Sequence, residues 1–147
     1  MQNIFNSSKA MALIYGGPEA PSVFGKVKFY QKDSCVLIVA DIDGLPKTDT
    51  GFFGFHIHEG TSCTGDNFAD SKAHYNPKNT PHPAHSGDLP PLMLCGDKAH
   101  LEVLTNRFKV SDIIGRTVII HSNPDDFITQ PSGNAGTKIA CGVIEKL

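Results

Sequence analysis

The sequence predicts an all-β domain, built as an antiparallel sandwich or barrel. Short apolar or alternating runs recur between clusters of glycine, proline, asparagine and aspartate, which is the pattern of strands joined by turns. In addition, no segment of ten or more residues shows a helical period. The chain has 147 residues, which is the size of one domain with its own hydrophobic core.

Seven runs carry the strand pattern. In the second run, Val23, Gly25, Val27 and Phe29 occupy alternate positions, as in a half-buried strand. The first nine residues are polar and are expected to form a flexible arm, so that the domain spans residues 10–147. In order, the predicted strands are 10–15, 22–31, 35–42, 52–58, 99–104, 116–121 and 138–144.

Two long connections, 60–91 and 122–137, separate the later strands. The first carries glycine, proline, asparagine and aspartate at short intervals and has no sustained apolar period. A structureless connection of this length indicates a functional loop, or one that something other than the core holds in place. We expect Greek-key connections where these two loops cross between sheets.

Charge and hydropathy argue against two classes of partner. A net charge of −2 with neutral histidines gives no long-range attraction to nucleic acid or to an anionic membrane. The longest apolar runs, such as 36–40, are far too short to span a bilayer.

The first residues lack the pattern of an export signal. This favours a cytoplasmic location, and the alternative is an exported protein, periplasmic or extracellular, whose signal has been removed.

Five of the seven histidines lie within residues 54–89, which first indicates a metal site. His56 and His58 are two apart on a predicted strand, so their side chains leave the same face and can reach one ion. His121 ends another predicted strand, where a lone histidine is more often structural than a ligand. Together with His74, these residues form an all-imidazole set that suits copper.

The first long loop contains a second set of donors. His74, His82, His85 and Asp88 supply three imidazoles and one carboxylate, which match a closed tetrahedral zinc site. The alternative is a histidine-rich, solvated loop. It is the weaker interpretation. Ordering a loop of this length costs conformational entropy, and a solvated loop makes no contacts that offset this cost.

Four separate motifs resemble the signatures of copper/zinc superoxide dismutase, in order and at suitable spacing. The similarity covers roughly residue 10 to the C-terminus, and joint chance agreement of so many pieces is implausible. It implies a flattened eight-stranded Greek-key β-barrel, which is an immunoglobulin-like sandwich with two long functional loops. The motifs are Gly54-Phe55-His56-Ile57-His58-Glu59, His74-Tyr75-Asn76-Pro77, His85-Ser86-Gly87-Asp88-Leu89 and Gly133-Asn134-Ala135-Gly136-Thr137-Lys138-Ile139-Ala140-Cys141-Gly142-Val143-Ile144.

The resemblance also implies an activity and its cofactors. The protein is expected to be an antioxidant oxidoreductase that disproportionates superoxide to oxygen and hydrogen peroxide, with one copper and one zinc per subunit. His74 is expected to act in catalysis as the ligand shared by both metals. The implied copper ligands are His56, His58, His74 and His121, and the implied zinc ligands are His74, His82, His85 and Asp88.

Further roles follow from the same resemblance. Asp125 stands where the family has a carboxylate that links the free ring nitrogens of His56 and His82, although without the resemblance an ordinary loop acid is the better interpretation. The positions of Cys63 and Cys141 match the family's intrasubunit disulfide. Lys138 replaces an arginine that usually lines the channel above copper and draws superoxide in. Because lysine keeps the charge and loses the planar donor, reduced activity is expected.

Several points stay open at the level of sequence. Four cysteines allow three pairings, and the spacing alone does not choose among them. Cys35 and Cys95 are expected to be buried structural thiols. A homodimer is a candidate assembly, since dimers are common in the family. The competing functions are a non-catalytic copper/zinc-binding or metal-delivery module and a structural domain in which zinc only orders the loop.

Overall fold

A computed structural model describes residues 8–147, with side chains from Ala10 onward. Within this range the chain forms nine strands and two short helical segments, a 3-10 helix at Asp66–Ser71 and the helix α1 at Val110–Ile113. The strands are β1 (Ser8–Gly16), β2 (Phe24–Lys32), β3 (Cys35–Asp43), β4 (Phe52–Phe53), β5 (Phe55–His58), β6 (Leu92–Met93), β7 (Ala99–Thr105), β8 (Thr117–His121) and β9 (Lys138–Lys146).

The strands form one curled antiparallel sheet that is extended by a strand pair. Seven strands follow the order β5-β8-β9-β1-β2-β3-β7, and β4 pairs with β6. Only Gly54 separates β4 from β5, so the two are one interrupted strand and the barrel has eight strands among the described residues. A tight hairpin at Cys95 and Lys98 leads from β6 into β7 and brings the two edges of the sheet together. The prediction of an all-β barrel is therefore confirmed.

The Greek-key crossings do not lie in the two long loops, where the sequence predicted them. The two long loops join neighbouring strands, since the β4–β5 strand pairs with β6 and β8 pairs with β9. The crossings are instead the shorter connections 44–51, from β3 to β4, and 106–116, from β7 to β8. The expectation about the long loops was wrong because their length reflects the donors they carry and not the distance they cover.

All seven predicted strands are present, with ends shifted by a few residues. The predicted fourth strand is divided at Gly54, and the sequence did not indicate the two-residue strand β6 or helix α1. Ser8 and Lys9, which the sequence assigned to the arm, lie in β1. The rest of that arm, residues 1–7, lies outside the described residues.

Alternation along the strands builds the core. Val27 and Phe29 of β2 are fully buried, as their period predicts, while β8 is buried along its whole length.

Cys35 is half-buried and Cys95 is exposed, because Cys35 begins a strand and Cys95 lies in the β6–β7 hairpin. The expectation that both thiols are buried was therefore wrong. No helix within residues 8–147 has the length and apolarity needed to cross a membrane.

Candidate metal centre

The centre begins on β5, whose sequence Phe-His-Ile-His is buried along its whole length. His56 and His58 point to the same face because they are two residues apart on a strand. β5 pairs with β8 in antiparallel register, with Phe55 opposite Ile120. This register brings His121, at the end of β8, next to the two histidines, with its ring centroid 4.8 Å from that of His56.

The first long loop runs back along the other side of β5. The backbone of Tyr75 donates to Ile57 O at 2.8 Å, and Ile57 N donates to Gly87 O at 2.9 Å. These bonds place His74 opposite His58 and Asp88 opposite His56. The close approach requires glycine at position 87, because an added Cβ would lie 2.2 Å from Ile57 O. The loop is therefore fixed to the strand that carries the first donors.

The first donor group consists of His56, His58, His74 and His121, whose ligand atoms lie within 4.8 Å of one another. The Nδ1–H of His58 donates to Lys72 O at 2.8 Å, and that of His121 donates to Gly136 O at 3.3 Å. A neutral imidazole has only one N–H, so Nε2 of each ring carries a lone pair. These two Nε2 atoms are 3.1 Å apart, and facing lone pairs repel unless a cation or a proton lies between them.

The second donor group consists of His74, His82, His85 and Asp88, which also lie within 4.8 Å of one another. Nδ1 of His74 is 2.8 Å from Oδ1 of Asp88, and Nδ1 of His85 is 3.2 Å from Oδ2. Nδ1 of His82 is 3.1 Å from Oδ2, but these two atoms do not form a hydrogen bond. All four side chains are at least nine-tenths buried. Nitrogen and carboxylate oxygen donors of this kind are ligands that zinc accepts.

His74 belongs to both groups. Its Nδ1 faces Asp88 in the second group, while its ring lies 4.0 Å from the ring of His56 in the first. Within the described chain, Nε2 of His74 has no hydrogen-bond partner, and neither does Nδ1 of His56 or of His82. Buried polar atoms are nearly always bonded, so three unpaired nitrogens aimed into two donor groups fit bound cations. The residues present therefore fit one metal ion in each group.

Asp125, from the second long loop, links the two groups. Nε2 of His56 donates to Oδ2 at 2.7 Å, and Nε2 of His82 donates to Oδ1 at 2.8 Å. These bonds hold the protons on Nε2 and leave both Nδ1 atoms free to bind metal. Gly133 permits the contact, because a Cβ there would lie 2.0 Å from Oδ1 of Asp125. The placement predicted for Asp125 is therefore what the structure has.

Burial sets the charge state of the donors. It lowers the pKa of His56 to about 4 and that of His121 to about 3, because desolvation penalises the charged imidazolium. Burial also lowers the pKa of His58 well below its usual value. For Asp125, burial raises the pKa, but hydrogen bonds from His56 and His82 outweigh it and bring the pKa well below its usual value. His56, His58 and His121 are therefore held in the neutral form that binds metals, and Asp125 is held in its ionised form.

Lys138 lies beside the first donor group. Its Nζ donates to Ser71 Oγ and to Lys72 O, both at 2.8 Å, which leaves one N–H without a partner among the described residues. Burial lowers the pKa of Lys138. Its charge also contributes, after burial and the neighbouring histidines, to the low pKa of His58. Lys72 O accepts hydrogen bonds from both Lys138 and His58, a link that no sequence pattern indicates.

The disulfide expected from the resemblance is present. Cys63, in the first long loop, is bonded to Cys141 of β9 across 78 residues, with the two Cα atoms 5.8 Å apart. The loop that carries the second donor group is therefore tied to the barrel by a covalent bond as well as by hydrogen bonds.

Two residues that no sequence pattern marks hold the backbone of the donor segment. Gln130 bonds to the backbone of His82, and Arg107 donates from Nη1 to Pro83 O at 2.8 Å and to His85 O at 3.1 Å. Neither contact leaves a signal in the sequence, because backbone acceptors are the same at every position.

Comparison with known proteins agrees with this geometry. The family model for copper/zinc superoxide dismutase matches residues 23–144. A Cu-Zn superoxide dismutase of Legionella pneumophila is 39% identical over 91% of this chain and 85% of the relative. Superoxide dismutase [Cu-Zn] 2 of Aquifex aeolicus is 36% identical over 83% of this chain and 79% of the relative. The copper chaperone for superoxide dismutase of Mus musculus is 32% identical over 96% of this chain but 54% of its own length. The chain belongs to the copper/zinc superoxide dismutase family.

Proposed function

We propose that this chain is a superoxide dismutase, which converts two superoxide anions and two protons into oxygen and hydrogen peroxide. The observation that carries the proposal is the position of His74, whose two ring nitrogens face two different donor groups. A single imidazole that contacts both groups supports two neighbouring metal ions with a shared ligand, and the family's name gives two metals, copper and zinc.

The chemistry of the donors supports the assignment of the metals. We propose that His56, His58, His74 and His121 hold copper, because an all-nitrogen set suits copper. His74, His82, His85 and Asp88 would hold zinc, which favours three imidazoles with a carboxylate. When bound, copper would supply the one-electron chemistry that oxidises one superoxide and reduces the next, and zinc would supply a fixed charge that orders the loop.

The side chains of the protein supply protons and orientation. Nε2 of His74 is buried and unpaired within the described chain, so it is the atom that would hold a proton and release it in each cycle. Asp125 and the carbonyl of Lys72 orient His56 and His58, because each accepts the N–H on the side of the ring away from the metal.

Lys138 would attract and orient the substrate. Its ammonium is the cation beside the copper-binding group, and two of its three N–H bonds are already used by Ser71 and Lys72. One N–H remains for an anion, whereas an arginine offers several donors in a planar arrangement. We therefore propose that the activity is lower than it would be with arginine at this position.

Metal loading followed by a superoxide assay tests the function. The protein would be loaded with Cu²⁺ and Zn²⁺, copper binding followed by visible absorption, and superoxide consumption measured by stopped flow. His121→Ala should abolish consumption, because it removes a copper ligand. His100→Ala is the matched control, since His100 lies on the exposed face of β7 and bonds to Asp41 and Glu102.

The same experiment separates the competing functions. A protein that binds both metals and does not consume superoxide would be a non-catalytic metal-binding or delivery module. A protein that binds zinc alone would be a structural domain. Either result would refute the proposed activity.

A further inference from the structure

The side-chain amide of Gln130 forms a pair of hydrogen bonds with one residue of the other long loop. Its Nε2 donates to His82 O at 2.7 Å, and its Oε1 accepts from His82 N at 2.9 Å. The two residues are 48 positions apart in the chain. Nε2 also donates to Ile128 O at 3.2 Å, which fixes the amide within its own loop.

This pair of bonds fixes the orientation of His82 where no regular strand does so. His82 lies in the irregular loop between β5 and β6, and one amide satisfies both its N–H and its carbonyl. The ring of His82 is held separately, by the bond from its Nε2 to Asp125. With the backbone and the far side of the ring both fixed, the direction of Nδ1 into the second donor group is determined.

Arg107 holds the same segment from another part of the fold. It donates to Pro83 O and His85 O, and it belongs to the connection between β7 and β8. Gln130 differs because its own loop also supplies Asp125, which bonds to His56 of the first donor group. Of the two contacts with the backbone of this segment, that of Gln130 therefore joins the second donor group to the loop that reaches the first, and it acts beside the bond between Asp125 and the ring of His82.

We propose that Gln130 is a positioning residue that aims His82 at the zinc ion and couples zinc binding to the order of the 122–137 loop. The inference rests on the proposed function, because it assumes that the second donor group binds zinc. Because coupling between two equilibria is reciprocal, an ordered loop strengthens zinc binding and bound zinc orders the loop.

Two matched substitutions test this role. Gln130→Met keeps the length of the side chain and the net charge but removes both bonds to His82. Ile128→Ala is the control, because Ile128 lies in the same loop and is 79% exposed. Arg107→Met is the comparison, since it frees the same segment without touching the loop.

Zinc affinity is measured by competition with a chelator on copper-free protein. Gln130→Met should bind Zn²⁺ about 10-fold more weakly, the lower end of the range for residues that orient metal ligands. Arg107→Met should also weaken Zn²⁺ binding, and Ile128→Ala should leave it unchanged. An affinity of Gln130→Met within twofold of the unsubstituted protein would overturn the inference.

Hydrogen exchange of the loop provides the readout that separates coupling from simple support. The amides of Asp126 and Gly133, which bond within the loop, report its order. Zinc should protect them in the unsubstituted protein and in Arg107→Met, but much less in Gln130→Met. Equal protection in all three would overturn the coupling. If the unsubstituted protein binds no Zn²⁺, the proposed function fails, and the positioning role fails with it.

Discussion

Removal of the Asp125 carboxylate should weaken both metal sites, and the zinc site more strongly. In Asp125→Ala, His56 and His82 each lose an acceptor, at 2.7 and 2.8 Å, that is fully buried. A hydrogen bond to a charged group contributes about 1.5–3 kcal/mol, which corresponds to about 10- to 100-fold in affinity for each metal.

The two sites should not be affected equally, because the two histidines are supported differently. His56 lies in β5 and is held by the β5–β8 ladder, so its ring direction is largely kept without Asp125. His82 lies in a loop and depends on Asp125 to fix its ring. The affinity for Zn²⁺ should therefore fall by about 100-fold and that for Cu²⁺ by about 10-fold, within the range for such residues.

Asp126→Ala provides a control with the same change in charge. Asp126 is exposed and, within residues 8–147, its side chain accepts hydrogen bonds only from its own loop, from the backbone of Ile128 and from Thr129. The dissociation constants of Zn²⁺ and Cu²⁺ would be measured by chelator competition for both variants. Affinities within threefold of the unsubstituted protein in Asp125→Ala, or an equal loss in Asp126→Ala, would refute the reasoning.

Three other expectations follow from the centre and its supports. Lys138→Arg should raise the rate of superoxide consumption at low salt, and an unchanged or lower rate would contradict the role given to Lys138. The metal-free protein should lose stability in urea as pH falls from about 7 to about 4, because His56 and His121 have folded pKa values of about 4 and 3, below the unfolded value of 6.5, so the unfolded chain binds more protons. The contribution of His56 alone is roughly 3 kcal/mol, and a flat profile would contradict it. Reduction of the Cys63–Cys141 disulfide should lower the free energy of unfolding by about 4 kcal/mol, because the bond closes a 78-residue separation and so restricts the unfolded chain. An unchanged melting temperature would contradict this expectation.

The sequence predicted the strands and the donor residues for different physical reasons. Alternation along a strand is local, so the shared face of His56 and His58 follows from their spacing alone. The grouping of those residues with His74 and His121 needed the chemistry of the donors and the resemblance to a family. The structure brings all of them together, as expected.

What the sequence did not predict depends on partners that are distant along the chain. Gln130 and Arg107 act on backbone carbonyl and amide groups, which no residue type marks. Lys138 was expected to face an anion, but it is also bonded to the carbonyl that orients His58. The strand β6 has two residues, too few for any period to appear.

The two donor groups differ in what must fold before each one exists. Three imidazoles of the first group come from the paired strands β5 and β8, so they converge as soon as those strands associate. Every member of the second group comes from the loop between β5 and β6. The pairing of two strands therefore fixes most of the first group through the barrel itself, whereas the second group exists only while a single loop keeps its path.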